Sequence, residues 1–215
     1  EISLLRIQEK ADMTVVKKMI NELRENRDIK YVENTGEEVT DLHAEFYVAF
    51  ENKFRGSREV IKNRFKIYLP KIIPLSENFP ALPLLDIGCG RGEWLELLSE
   101  EHVFAKGLDS NGMMVKECAA MGLEVFETDL FAYLAALEDK SLMAVTAFHV
   151  VEHIPFEKLL QFVEECRRVL VTGGVMILET PNPENLKVGA CNFYNDPTHQ
   201  RPIPPLVLSF VAEEK

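Results

Sequence analysis

Apolar residues recur along this chain with two different periods, and the change from one to the other falls near residue 80. In the first part, Leu4, Ile7, Ala11, Val15, Met19, Ile20 and Leu23 come at three- and four-residue intervals among charges, which predicts an amphipathic helix over residues 3–26. A polar, turn-rich connector follows over residues 28–41, with Thr40 or Asp41 as the cap of the next helix. Residues 41–70 read as two helices interrupted at Arg55-Gly56-Ser57, with Ser57 capping the second and Pro70 closing it. From Ala81 onward short apolar runs (PLLDIG, VFAKGLD, GLEVFETD, SLMAVTAFH, GGVMILETP) alternate with helical stretches (RGEWLELLSEE, NGMMVKECAAM, LFAYLAALED, PFEKLLQFVEECRRVL). Strands that alternate with helices at this spacing are parallel and joined by crossovers, so the pattern predicts an open α/β sheet with helices on both faces. Residues 1–75 are then a helical extension or cap, and residues 76–215 the sheet domain.

Composition narrows the partners. Hydrophobic residues make up 47% of the 215, enough for a real core, and the formal net charge of −11 disfavours extended contact with nucleic acid. The basic side chains Lys53, Arg55, Arg58, Lys62, Arg64, Lys66 and Lys71 gather in one stretch and read mostly as a solvated face; Arg55, beside Gly56 at a helix break, is placed to turn toward a ligand. Cys89, Cys118, Cys166 and Cys191 are far apart with no C-x-x-C pair, which indicates reduced thiols in a cytoplasmic protein and neither a disulfide framework nor a zinc knuckle. No apolar run approaches the roughly 20 residues that span a bilayer. The chain starts at Glu1 without a methionine and stops at EEK, as a portion of something longer would.

The first predicted strand runs into LLDIGCGRGEW. Gly88, Gly90 and Gly92 let the backbone swing close to a ligand, and the helix that follows directs its first amides at it, so a nucleotide-like group is expected here. The dinucleotide fingerprint requires glycine where this chain has Glu93, which disfavours NAD. Asp86, Asp109 and Asp129 end three successive strands, the edge at which open α/β sheets bind ligands. Asp109 is spaced to accept from ribose hydroxyls, and Asp129 is placed to accept from an adenine amino group with Leu130 and Met113 beside the ring.

Over about residues 80 to 182 the chain resembles the class I S-adenosylmethionine-dependent methyltransferases, through LLDIGCGRGEW, GLD, ETDL, FHVVEHI and RVLVTGGVMILETPNP. It is most similar in wording to ubiquinone-type O-methyltransferases and to glycan-modifying methyltransferases of bacterial surface-polysaccharide clusters. The second likeness extends to FYVAFENKFRGSREVIKNRFKIYLP and NFYNDPTHQRPIPP. The resemblance implies a Rossmann-like sheet and S-adenosylmethionine as methyl donor, with S-adenosylhomocysteine as product. It places Gly88, Gly90 and Asp86 at the methionine half, Asp109 on the ribose, Asn111 and Met113 at the adenosine rim, Asp129 with Leu130 at the adenine, and His149 near the sulfonium. Arg55 is implied as partner of the methionine carboxylate, a bidentate task suited to guanidinium. These folds ordinarily finish with a β-hairpin, which the residues after 205 do not show; LVLSFVAEEK reads as one last helix.

Within FHVVEHI, His149, Glu152 and His153 match the H-x-x-E-H pattern of one class of zinc peptidases, in which both imidazoles share a helix face. The apolar strand running straight into His149, and Pro155 after Ile154, put them on a loop instead, so no metal is expected. An acid/base or positioning role remains. His149 is the first candidate by location; His199, oriented by Asp196, is the second; His153 reads as structural. The long polar stretch from Asn182 to Pro205 is expected to lack regular structure and to bind an acceptor, and its mixture of amides, aromatics and charges suits a sugar. The reading is therefore methyl transfer to an oxygen of a small molecule or glycan, a sugar hydroxyl or a glycan phosphate. A phenolic or quinone-like acceptor, or a scaffold module that binds the donor without turnover, are the alternatives. A homodimer, or association with a glycosyltransferase, is open.

Overall fold

In the computed structural model, residues 36–214 are described, with side chains from Ala44 onward. The helix expected over residues 3–26 lies outside them. The chain divides into two compact units, residues 1–43 and 44–215.

The strands predicted from short apolar runs are β1 (Leu84–Ile87), β2 (Ala105–Asp109), β3 (Val125–Glu127), β4 (Leu142–Phe148) and β5 (Leu170–Glu179). They form one parallel sheet in the order β3-β2-β1-β4-β5. β4 is buried at every position, which is why its sequence is a continuous apolar run with no alternation. Ile87 aligns with Leu108 on one side and Ala147 on the other, so the ends of β1, β2 and β4 are level. Strand order reverses between β1 and β4, and a crevice opens beyond their carboxyl ends at such a switch point.

In chain order the helices are α1 (Gly36–Phe54), α2 (Arg58–Phe65), α3 (Leu69–Asn78), α4 (Glu93–Glu100), α5 (Gly112–Ala120), α6 (Leu130–Ala136), α7 (Phe156–Val169), α8 (Leu186–Ala190) and α9 (Pro205–Glu214). None of those described is long and apolar enough to cross a membrane. Two apolar clusters flank the sheet. On one face α7 contributes Leu159, Phe162, Val163, Cys166 and Val169, spaced three or four apart, against Leu85, Ile87 and Val145. On the other, Ile61, Phe65, Leu69 and Ile72 from α2 and α3 pack with Leu84, Trp94, Ala144 and Phe148.

Three local expectations are corrected. α1 starts at Gly36, so Thr40 and Asp41 lie inside it and do not cap it. Pro70 opens α3 in place of closing α2; in a first turn a residue without an amide hydrogen loses no helix bond. The stretch after Asn182 carries α8 and a 3₁₀ turn at Asn192–Asn195, where Asn185 caps α8 by accepting from the amides of Lys187 and Val188.

Candidate active site

The turn after β1 holds Gly88, Gly90 and Gly92 at φ of +68°, +52° and +77°, a region that side chains with a Cβ rarely occupy. At Gly88 an added Cβ would also lie 2.5 Å from Val150 Cγ2, so the glycine turn and the segment after β4 are in direct contact. Asp109, at the end of β2, ties this turn down: its Oδ2 accepts from the Gly90 amide at 2.8 Å and its Oδ1 from the Asn111 amide at 2.8 Å. Burial raises the Asp109 carboxyl, and the amide donors and the charge of Arg55 oppose that rise. Asn111 in turn caps α5, accepting from Met113 at 3.0 Å, and donates to the Ala44 carbonyl at 3.2 Å.

The end of α1 and the Gly56 turn are fastened to the glycine turn by arginines. Arg91 donates to the Gly56 carbonyl at 2.9 Å and to Asn52 Oδ1 at 3.2 Å, and pairs with the fully buried Glu93 at 2.6 Å. Arg58 closes the link by donating to the Arg91 carbonyl at 2.7 Å. Glu93, where a dinucleotide fold would have glycine, thus serves as a buried counter-charge. Arg55 lies over Gly90, where an added Cβ would meet Arg55 Nη1 and Glu51 Oε2, each at 3.3 Å. Arg55 is held by Glu51 at 2.8 Å, and the second Glu51 oxygen is buried without a hydrogen-bond partner among the described residues. An orphaned acceptor beside a guanidinium, facing a glycine turn, fits the ammonium and carboxylate of an amino-acid ligand.

Asp86, buried beneath the turn, accepts from Thr146 Oγ1 at 2.7 Å. Burial pushes its carboxyl up to about 7, against the lowering effect of Thr146 and Arg55. A folded value above the unfolded one, about 3.9, means the unfolded chain ionises first as pH rises. Asp86 therefore costs stability progressively between about pH 4 and pH 7. The Asp86→Asn variant is expected to gain stability relative to the parent across that window, read as the difference in urea midpoints at pH 4 and pH 7.5. Parallel profiles for the two proteins would contradict this environment for Asp86.

A second polar cluster stands beside the first. Directly after β4 comes His149, a non-glycine residue at φ +58° with a half-exposed ring. Its Nδ1 lies 3.3 Å from Glu152 Oε1 and its Nε2 3.5 Å from Glu179 Oε1 at the end of β5. Burial disfavours the charged ring, but these two carboxylates outweigh it and raise His149 to about 9. Tyr68 donates to the other Glu179 oxygen. Glu152 is completely buried; Thr180 donates to its Oε2 at 3.0 Å, and its carboxyl sits below the usual range because the cost of burial is outweighed by His149, a backbone amide and the charge of His153. From the segment after β5 come Asp196, Thr198 and His199. Asp196 accepts from Tyr47 of α1 at 3.2 Å and from Thr198 at 2.6 Å.

The structure thus brings Arg55, Asp86, Gly88, Gly90, Asp109, Asn111 and the amide of Met113 to the glycine turn, and His149, His199 and Asp196 to the cluster beside it. Asp129 is exposed and uses Oδ1 to cap α6, accepting from Phe131 and Ala132, while Leu130 packs against the sheet core. His149 and His153 share no α-helix; His153 ends a 3₁₀ turn at Val151–His153. Participants not read from sequence include Glu51, Tyr47, Tyr68 and Glu179. Glu51 carried a signal, since it lies one helical turn before Arg55. The others carried none, because their partners come from elsewhere in the chain.

A profile of the family described as "Methyltransferase domain" matches residues 85–178. A solved SAM-dependent methyltransferase from Archaeoglobus fulgidus is 40% identical, with 79% of this chain and 73% of that one superposed at a TM-score of 0.72. A probable S-adenosylmethionine-dependent methyltransferase of Mycolicibacterium smegmatis is 32% identical over 135 residues, 63% of this chain and 48% of that protein. A probable tRNA methyltransferase 9B of Bos taurus is 29% identical over 105 residues, 48% of this chain and 22% of that protein. The chain spans less than half the length of these two curated relatives.

Proposed function

The chain belongs to the class I S-adenosylmethionine-dependent methyltransferases, and from that premise we propose that it methylates an oxygen, with a sugar hydroxyl of a glycan as the acceptor. The observation that carries this reading is the direct contact of Val150 with Gly88, which sets the His149 cluster immediately beside the donor turn. That cluster is polar and acidic, with Glu152, Glu179 and Asp196 around three imidazoles. Such surroundings favour a cationic donor and a neutral, hydroxyl-bearing acceptor. They disfavour a phosphate by like charge.

The donor supplies an electrophilic methyl on a sulfonium: the carbon–sulfur bond breaks as the carbon–oxygen bond forms, and the bonding pair stays with sulfur. For the chain's own residues, Asp109 holds the ribose, Asn111 and Met113 the adenosine rim, and Asp129 with Leu130 the adenine. Arg55 pairs with the amino-acid carboxylate, and the free oxygen of Glu51 with its ammonium. Asp86 keeps the glycine turn in place from below. The helical residues from Ala44 to residue 75 act as a cap on this half. His149, held on both ring nitrogens by glutamates, aligns the acceptor oxygen for in-line attack. His149, raised to about 9, already carries its proton near neutral pH, so the hydroxyl proton passes to the half-exposed Glu179 carboxylate beside it and from there to solvent.

The test is incubation with methyl-labelled donor and a panel of sugars, glycan phosphates, phenols, protein and tRNA, the last included because of the relative named for it. Label is expected on sugar hydroxyls as an alkali-stable ether. Label confined to tRNA, protein or phenols would reject the acceptor assignment, and donor binding with no product from any acceptor would favour a scaffold role.

A further inference from the structure

The expectation of no metal rested on His149 and His153 lying on a loop. It did not include what the fold carries to the same place from beyond β5. One ligand atom each from Glu152, His153 and His199 lie within 4.8 Å of one another. Glu152 is fully buried and both imidazoles are partly so, leaving an entry path.

Proton accounting shows where the lone pairs point. His199 Nδ1 is 2.6 Å from the carbonyl oxygen of Phe193, which can only accept, so Nδ1 carries a hydrogen and Nε2 in the neutral ring carries a lone pair. Thr198 Oγ1 donates its one hydrogen to Asp196 Oδ1 at 2.6 Å. It can then only accept from His153 Nδ1 at 2.9 Å, which leaves His153 Nε2 bare as well. Imidazoles anchored on the far nitrogen by a carbonyl, or by a hydroxyl backed by a carboxylate, have the orientation found around bound metals. The near nitrogens of both rings make no hydrogen bond among the described residues. His199 Nε2 faces Glu152 Oε1 at 3.8 Å and Asp196 Oδ2 at 3.9 Å, too far for hydrogen bonds, with electron pairs opposed across the gap. A cation between them removes that repulsion.

We propose that Glu152, His153 and His199 bind one divalent transition-metal cation, with Thr198, Asp196 and the Phe193 carbonyl orienting the two imidazoles. Two nitrogens and one carboxylate oxygen form a three-ligand set of the kind Zn²⁺ and its neighbours accept with a position left open for water or substrate. The predominance of nitrogen disfavours Mg²⁺ and Ca²⁺, which take oxygen. In tetrahedral coordination at about 2.1 Å the ligand atoms draw to about 3.4 Å apart, a contraction of at most about 1.4 Å from the 4.8 Å within which they lie. A cation there holds a hydroxyl oxygen and makes its proton easier to remove. That consequence rests on the proposed oxygen methylation, whereas cation binding does not.

Metal affinity is therefore measured without donor or acceptor, on chelator-treated full chain titrated with Co²⁺ and Zn²⁺ against a chromophoric competitor. One equivalent of Co²⁺ is expected to bind and to give the visible bands of four-coordinate cobalt. His153→Ala and His199→Ala are each expected to weaken binding at least about a hundredfold, and Thr198→Val about tenfold to a hundredfold. Cys191→Ser, which removes the exposed thiol, is expected to bind like the parent. Asp109→Asn is also expected to keep full metal affinity while losing donor affinity, which separates failure at this site from failure of the methyl-transfer reading. Should the histidine variants not fold, X-ray absorption of the Zn²⁺-loaded parent decides, with nitrogen and oxygen neighbours and imidazole scattering expected. No stoichiometric binding by the folded parent, sulfur among the ligands, or histidine variants that bind like the parent would each overturn the site.

Discussion

Replacing His149 with alanine is expected to lower kcat by about a hundredfold to a thousandfold, the range typical of losing a group that positions or relays a proton in the transition state. Affinity for S-adenosylhomocysteine should change less than about threefold. The separation follows from where the residue stands: its ring nitrogens face Glu152 and Glu179, and the neighbouring Val150, by backbone position and not through the imidazole, abuts Gly88. The donor half proposed above uses other residues, the glycine turn and Asp109. Equilibrium binding of the product nucleoside and single-turnover rates with labelled donor check both parts. A variant that loses donor affinity with kcat unchanged would place His149 in the donor pocket and remove it from the acceptor side. Glu179→Gln should show a weaker form of the same pattern, since it takes away one of the two carboxylates that fix the ring.

Asp109→Ala is expected to weaken S-adenosylhomocysteine binding by about 3 kcal/mol, on the order of a hundredfold, which exceeds the loss of one charged hydrogen bond. Asp109 acts twice. Besides any bond to a ribose, its two oxygens hold the amides of Gly90 and Asn111, so the alanine variant also releases the glycine turn and the start of α5. Asp109→Asn, which keeps an acceptor for one amide, should fall between. Titration calorimetry gives the affinities, and thermal unfolding without ligand gives the share that comes from loosening the turn. An alanine variant with parental affinity would remove Asp109 from the donor site.

The sequence by itself determined the sheet and the glycine turn at its edge. Each rests on local rules: a buried strand must be a short apolar run, a crossover helix must show an apolar stripe, and a backbone at positive φ beside a ligand must be glycine. The run SLMAVTAF, the stripe from Leu159 to Val169, and Gly88, Gly90 and Asp109 announce themselves within a few residues. Helix ends were read less well at Pro70 and Gly36, because proline at a first turn and proline at a last turn look alike in a sequence.

Only the tertiary structure assembled the polar cluster proposed as the acceptor half. Tyr47, Tyr68, Glu152, Glu179, Asp196 and His199 come from five separate segments, and nothing in the spacing of any one shows that they meet. It also turned a discarded motif into a different one: His149 and His153 do not face a common point along a helix, yet His153 and Glu152 meet His199 across the crevice. The physical reason is that a parallel sheet aligns the ends of strands distant in sequence, so a cluster there is a property of strand order and not of the chain's local pattern.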